Sequence, residues 1–203
     1  ALDLGQKGRD DYFGSGLIQM DRALDAAVSS RVKILPVTGF SPRSIDLPEQ
    51  PIEQSYTSFD LVLEIPSIKL NTGIVGVPEQ NTDWNLTWLG KNAGWLEGSA
   101  FPTWQGNSVI TGHVWNADNS PGPFFGIKKL RYDDLIKIEA WGQVYTYQVR
   151  SNVLVSPENS GSAFQHEEGS WITLITCENY DQTADTYLNR RIVKAVLVEV
   201  RSN

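Results

Sequence analysis

A hydrophobic period of two recurs along most of this chain, and it limits the fold more than any other feature of the sequence. Phe59, Leu61, Leu63 and Ile65 fall on one side of an extended segment, with Asp60 and Glu64 on the other, because successive side chains of a strand point to opposite faces. Pro66-Ser67 then breaks the run ahead of Ile68-Lys69-Leu70. Further strands are predicted near Asn107 to Thr111, Leu135 to Ala140, Gln143 to Val155, Trp171 to Thr176 and Arg190 to Val200, with Trp141-Gly142 forming a tight hairpin. Short helical pieces fit Trp84 to Leu89 and Phe124 to Leu130. Many short strands with brief helices describe an all-β barrel or sandwich of about 145 residues.

That domain is expected over residues 57–203, behind two other segments. Residues 1–30 open Gly/Asp-rich and continue with Leu17, Met20, Leu24 and Val28 at helical spacing near Asp21. A single helix cannot bury its own apolar stripe, so a docked helical arm is one expectation. The stretch DLGQKGRDDYFGSGLIQMDRALDAA also resembles the closing stretch of subtilisin-like protease domains, where a Gly/Asp-rich loop precedes a last helix; the catalytic parts of such a protease are absent from it. Residues 31–56 hold Pro36, Pro42, Pro48 and Pro51 with little periodicity, as expected of a connector running extended along a surface.

Composition removes whole classes of function. A chain of 203 residues that is 40% hydrophobic can fill a core without staples. Its single cysteine excludes an internal disulfide, and one Cys with His113 and His166 is too few for a closed zinc site. A net charge of -7 and a pI near 4.8 argue against nucleic-acid partners, which need clustered Lys and Arg. No apolar run reaches the roughly 18 residues of a membrane span, and the start lacks the regions of a signal peptide. The expectation is a soluble chain cut from a longer, exported parent whose membrane anchor lies elsewhere.

The lone thiol carries the chemistry. Trp171, Thr173 and Ile175 alternate with Ile172, Leu174 and Thr176, and Glu178-Asn179-Tyr180-Asp181 breaks the pattern just after Cys177. The thiol is therefore expected at the mouth of a sheet. Taken alone, an isolated Cys is a small buried hydrophobe. Nucleophilic catalysis needs in addition a base or cation that favours the thiolate, and a donor for the oxyanion formed when a carbonyl is attacked. Thr111-Gly112-His113 closes the apolar strand Ser108-Val109-Ile110, and Arg190-Arg191 opens the last strand, so both reach Cys177 if the strands are neighbours. Alternation lets only one of the two arginines face the thiol. His166, in the loop Gln165-His166-Glu167-Glu168, fits a plain surface residue.

TLITC from Thr173 to Cys177, TGH from Thr111 to His113 and the strand from Arg190 to Val193 together resemble the sortase family of cysteine transpeptidases. Cys177 follows His113 by 64 residues and precedes Arg190 by 13. The likeness runs from about Phe59 to Val200, including IPSIKL and the Phe124 to Leu130 and Asp133 to Ile138 segments. It implies a closed barrel of about eight strands. It also implies that Cys177 attacks the Thr carbonyl of an LPxTG-type sorting signal, giving a thioester and releasing the segment after Thr. His113 would protonate the leaving amine and then take a proton from the incoming one. Arg190, chosen over Arg191 by the family pattern, would donate to the substrate carbonyl and oxyanion. Thr176 would orient the substrate. The implied partners are LPxTG-bearing proteins and an amine acceptor, a cell-wall peptide or a pilin, at the extracellular cell surface, with no cofactor. Class A members often carry calcium on acids in the loop before the catalytic His. Ala100 to Asn107 has no acid, so no calcium or other metal is expected, and Trp95 to Gly112 looks closer to classes D, E or F.

The connector itself spells such a signal: Leu35, Pro36, Val37, Thr38 and Gly39. Four specified positions at roughly 5–10% usage each arise by chance in about one such chain in several hundred. The twenty residues from Gly39 to Phe59 can span roughly 65 Å, whereas a domain of this size has a radius of gyration of about 15 Å. LPVTG can therefore reach Cys177 of its own or a neighbouring chain, as a tethered substrate or as a plug. A non-catalytic sortase-like module that merely holds the arm is the alternative. A papain-like protease would need the Cys before the His, opposite to the order here.

Overall fold

In the computed structural model, which describes residues 35–81 and 83–202, the alternating segments close on one another. The strands in chain order are β1 (Thr57–Ile65), β2 (Leu70–Val77), β3 (Glu79–Gln80), β4 (Asp83–Trp84), β5 (Ala93–Leu96), β6 (Gly106–Thr111), β7 (Leu135–Ala140), β8 (Gln143–Val155), β9 (Ser170–Asp181) and β10 (Thr186–Ser202). Eight form a closed barrel in the order β1-β2-β5-β6-β9-β10-β8-β7, and β3 and β4 form a separate two-stranded ribbon. Closure leaves none of the eight with a bare edge. The all-β expectation thus resolves to a barrel rather than a sandwich.

Burial explains the pattern. Leu63, Ile65, Ile74, Ile110, Ile136, Ile138, Tyr147, Ile172, Leu174 and Val193 point into the barrel, joined by Phe124 and Ile127 from the 3-10 helix Pro123–Lys129. The intervening residues of β6, β9 and β10 are apolar too: Val109, Ile175 and Ile192 belong to a second core with Val77, Trp84, Leu86, Leu89 and Ala163. β9 is therefore covered on both faces. Its inner side packs the barrel, and its outer side is roofed by the loop through Trp84 to Leu89 and by the 3-10 helix Pro157–Phe164.

Several local expectations need correction. The 84–89 segment is not helical. Asp83–Trp84 is a strand, and a turn follows in which the Asn85 side chain accepts from the Thr87 N–H at 3.1 Å; the apolar spacing of Trp84, Leu86 and Leu89 comes from their shared burial. β9 does not stop at Cys177. It continues to Asp181, pairing Glu178 with Asn189 and Tyr180 with Tyr187, so the polar run is the outer end of a two-stranded ribbon. The connector does not simply skirt the surface either, since Leu35 and Thr38 are fully buried. The sequence pattern misses β2 and β5; Asn71, Thr72 and Gly73 blur alternation in β2, and β5 is four residues long. The Trp141-Gly142 hairpin is present, with positive φ at both residues. The arm expected over residues 1–30, with its subtilisin-like likeness, lies outside the described residues.

Phe124 ties the barrel interior to the strand end that carries Gly112 and His113. Its ring lies against Gly112, where an added Cβ would come within 2.7 Å of it, and its N–H donates to the His113 carbonyl at 3.0 Å. Phe124→Ala is expected to destabilise the protein by about 3–5 kcal/mol, as full loss of a buried aromatic does. Urea unfolding measures it.

Candidate active site

Strand pairing assembles the site. β6 runs parallel to β9 with Thr111 opposite Ile175, and β10 runs antiparallel to β9 with Arg190 opposite Cys177. Thr111 is the last paired residue of β6, so His113 leaves the strand beside the end of β9 that carries the thiol. Opposite partners share a face, which puts Arg190 on the Cys177 side and Arg191 on the other. Arg191 is held there by Glu178, at 2.7 and 3.0 Å. Cys177, His113, Arg190 and Thr176 are all buried. His166 lines a different cavity, with Gly98, Asn107 and Phe164.

The LPVTG connector, called the arm from here on, occupies this site. Leu35 is 1% exposed within the outer core, and its N–H donates to the Ser160 hydroxyl at 3.1 Å. Val37 faces solvent. The Thr38 N–H points at Cys177 Sγ, 3.1 Å away, while the Cys177 N–H donates to Thr38 Oγ1 at 2.7 Å. Thr38 Oγ1 also lies 3.3 Å from Thr176 Oγ1. The Thr176 hydroxyl gives its only proton to the Gly112 carbonyl at 2.7 Å; the Thr38 proton must then be the one shared with Thr176. Serine or threonine satisfies this seat, and an apolar side chain leaves the Cys177 N–H unpaired.

Beyond Thr38 the chain stays anchored. The Val114 N–H donates to the Thr38 carbonyl at 3.3 Å, the Phe40 N–H donates to the Trp115 carbonyl at 3.0 Å, and the Tyr187 hydroxyl donates to the Phe40 carbonyl at 2.6 Å. The Phe40 ring packs on the His113 ring, centroids 5.0 Å apart. Farther on, the Ile45 N–H reaches the Ala117 carbonyl at 2.8 Å, and Arg43 pairs with Asp185 at 3.1 Å. Sequence reasoning misses Val114, Ser160 and Tyr187. Only Val114 carries a sequence signal, its place directly after TGH.

Charge in the site is muted. Burial pushes the Cys177 thiol up, against the opposing pull of the nearby Arg190 charge and of Thr38. Burial pulls His113 down to about 4, with the Thr87 and Leu86 backbones opposing weakly. The Thr87 and Leu86 backbones lie close enough to His113 to pull its pKa upward, though neither ring nitrogen makes a hydrogen bond of ordinary geometry, and Arg190 Nε has no partner among the described residues. Arg190 Nη1 instead serves the carbonyls of Tyr187 and Asn189, at 3.3 and 3.1 Å. The carbonyl contact expected of Arg190 is thus made to Thr38 by the Val114 N–H. The thiol thus has the Arg190 charge acting on it and lies at the strand end next to the TGH segment, the kinds of neighbour that can favour a thiolate. The thiol expected at a sheet mouth lies just past the end of the β6 pairing, but it is buried there rather than shallow: Cys177 is 0% exposed, under Thr38, Val114 and Tyr187. Among the described residues no group of three or more His, Cys, Asp or Glu is placed to hold a metal ion, and no helix is long and apolar enough to cross a membrane.

Leu35→Arg, which cannot seat in the outer core, is expected to speed iodoacetamide alkylation of Cys177 about tenfold or more at pH 8, read by intact mass. Because the folded-state pKa of His113 is depressed below the unfolded value, its contribution to stability is complete above pH 6.5 and is lost as pH falls toward 4. The loss approaches about 3 kcal/mol, and His113→Asn should flatten it in chemical denaturation across that window.

Comparison with known proteins gives this arrangement a family. Residues 63–198 match the family model described as the Sortase domain. Among solved structures, a Clostridium perfringens sortase D5 transpeptidase is 27% identical, with 68% of this chain and 78% of that chain covered and a TM-score of 0.54. Sortase E1 from Streptomyces coelicolor, solved with a tripeptide in its active site, is 24% identical over 72% of this chain and 91% of that one, with a TM-score of 0.58. Sortase C-3 from Streptococcus pneumoniae is 21% identical over 89% and 81%, with a TM-score of 0.61. A search among curated proteins gave no match.

Proposed function

The chain belongs to the sortase family of cysteine transpeptidases, and from that premise we propose that Cys177, His113 and Arg190 are its catalytic residues and that its own LPVTG segment is a tethered sorting signal. One observation carries this above the others: Thr38 is paired in both directions with Cys177, N–H to Sγ and N–H to Oγ1. A signal found in the sequence for its spelling sits in the register in which such a signal would be cut, between Thr38 and Gly39.

The chemistry runs through the residues already placed. The Cys177 thiol passes its proton to His113, the thiolate so formed attacks the Thr carbonyl carbon, and the oxyanion that results needs a donor where charge develops. The Val114 N–H already meets that carbonyl, and Arg190 Nε is a buried donor without a partner among the described residues. His113 delivers that proton to the leaving Gly amine as the C–N bond breaks. An amine then attacks the thioester, gives its proton to His113 and releases the thiolate. Thr176 acts as the orienter of the substrate Thr through the shared hydroxyl proton. Thiol and imidazole are held in the uncharged direction while the arm is seated, and closer approach of Arg190 favours the thiolate.

Transfer would attach whatever precedes Thr38, including the subtilisin-like stretch from Asp3 to Ala27, to an amine at the cell surface. Sortases act there on LPxTG-type substrates; export of a longer parent and a cell-wall peptide or pilin as acceptor complete the proposal. Mass spectrometry of an LPVTGF-containing peptide with the protein and hydroxylamine tests the catalytic assignment. The expected product is the Thr hydroxamate, absent with Cys177→Ala. Reductions of about 10²–10⁴-fold are expected for His113→Ala and about 10²–10³-fold for Arg190→Ala. An unmodified peptide with the wild-type protein, or hydroxamate from Cys177→Ala, contradicts it.

A further inference from the structure

At the Leu35 end of the groove, one buried amide joins the barrel wall to the segment that receives the arm. Asn107 stands second in β6, buried, on the face of that strand that carries Val109 into the outer core. Its side-chain nitrogen donates to the Ala163 carbonyl at 2.7 Å and to the Gln165 carbonyl at 3.0 Å, and its oxygen accepts from the Thr173 hydroxyl at 2.7 Å. The two carbonyls belong to the closing turn of the 3-10 helix Pro157–Phe164, where helix geometry leaves acceptors without donors of its own. Turning the amide over would set its oxygen against both carbonyls, so the fully buried Thr173 hydroxyl marks the one orientation that satisfies all three groups. Aspartate has no N–H to give there, and serine or threonine has one proton for two acceptors.

The segment held in this way meets the arm. Ser160 accepts the Leu35 N–H, and Ala163 packs in the outer core with Leu35, Val109 and Ile175. Phe164 lies flat on Trp84, the rings 5.2 Å apart and 3° from parallel. Thr173, Ile175 and Cys177 share one face of β9, so the anchor of the segment and the thiol stand roughly 13 Å apart along one strand. From Leu35 to Thr38 an extended chain covers roughly 10 Å. A segment pinned at Thr173 thus offers its leucine seat at a distance that the stretch from Leu35 to Thr38 spans with Thr38 at Cys177.

We propose that Asn107, oriented by Thr173, is a positioning residue: by holding the 157–165 segment to β6 and β9 it sets the leucine seat in register with the thiol. A signal's Leu and Thr can then be engaged together. The proposal rests on the reading of LPVTG as a signal seated in the catalytic groove. Asn107 takes no part in the chemistry, and its effect runs through Ser160 and Ala163.

Alkylation of Cys177 by iodoacetamide in the full chain, followed by intact mass, tests this without calling on catalysis. Asn107→Asp and Leu35→Ala are each expected to speed alkylation about tenfold. The double variant should exceed the faster single one by no more than about twofold, because both changes act on one seat. Effects that multiply overturn the proposal, as does an Asn107→Asp protein that alkylates at the wild-type rate. Thr173→Val removes the orienting hydroxyl and should also speed alkylation; where Asn107→Asp does not fold, a wild-type rate in Thr173→Val overturns the proposal instead. Thr173→Ser keeps the donor and should stay within about twofold of the wild type. With added peptides at limiting concentration and hydroxylamine, conversion of LPVTGF should exceed that of APVTGF by about tenfold or more in the wild type and by about threefold or less in Asn107→Asp. Turnover at saturating LPVTGF should stay within about twofold, and an unchanged Leu-to-Ala ratio overturns the proposal. No hydroxamate from the wild type is a failure of the catalytic reading, and the alkylation rates still test this one.

Discussion

β9 is the strand on which the rest of the molecule depends, because it is hydrogen-bonded on both sides and buried on both faces. Parallel pairing to β6 brings the end of the TGH segment alongside, and antiparallel pairing to β10 sets Arg190 opposite Cys177. Three residues far apart in the chain are thus brought to one end of one sheet by main-chain hydrogen bonds, before any side-chain contact among them is considered. The inner face of β9 contributes Ile172 and Leu174 to the barrel, while Ile175 and Cys177 face the outer core. A one-residue slip of β9 would exchange those sets and turn the thiol inward. The placing of Cys177 opposite Arg190 and the packing of the two cores are therefore specified by the same register.

Occupation of the outer face follows from the same alternation. Val109, Ile175 and Ile192 leave an apolar surface on the outside of the barrel, and Leu35 joins the elements that cover it. The arm buries a leucine there and directs its polar groups to Ser160, Cys177, Val114 and Trp115. The groove holds backbone as well as side chain, and Val37 is the LPVTG side chain left in solvent. Seating has an electrostatic consequence. Burial holds the thiol and the imidazole toward their neutral forms in the occupied groove, and the Arg190 charge pulls the thiol the other way.

Much of this is legible in the sequence, for identifiable reasons. β7 and β8 have clean alternation and a hairpin that needs positive φ at Trp141 and Gly142, and they appear over the predicted residues. Cys177, His113 and Arg190 can be found because each stands where an apolar strand ends or begins, and because the order and spacing of TGH, TLITC and Arg190 match a known family. LPVTG is legible as a spelled motif. The depth of the site is not. Burial of Cys177 depends on Val114, on Tyr187 and on the docked arm, none of which is a neighbour of Cys177 in the chain. The apolar spacing of Trp84, Leu86 and Leu89 imitates a helix because one side of a loop roofs the outer core. Ser160 and Tyr187 act through single hydrogen bonds to the arm's backbone, a role that leaves no pattern in composition or period.

The central claim is that the enzyme holds its own signal in a cleavable register. Intact-mass analysis of the full chain over time with hydroxylamine, at several protein concentrations, tests it most directly. The account predicts a Cys177-dependent cut that leaves the upstream fragment ending in a Thr38 hydroxamate and the downstream fragment beginning at Gly39, with a rate independent of protein concentration. A chain that remains whole while the same preparation converts added LPVTGF-containing peptide to its hydroxamate would contradict it.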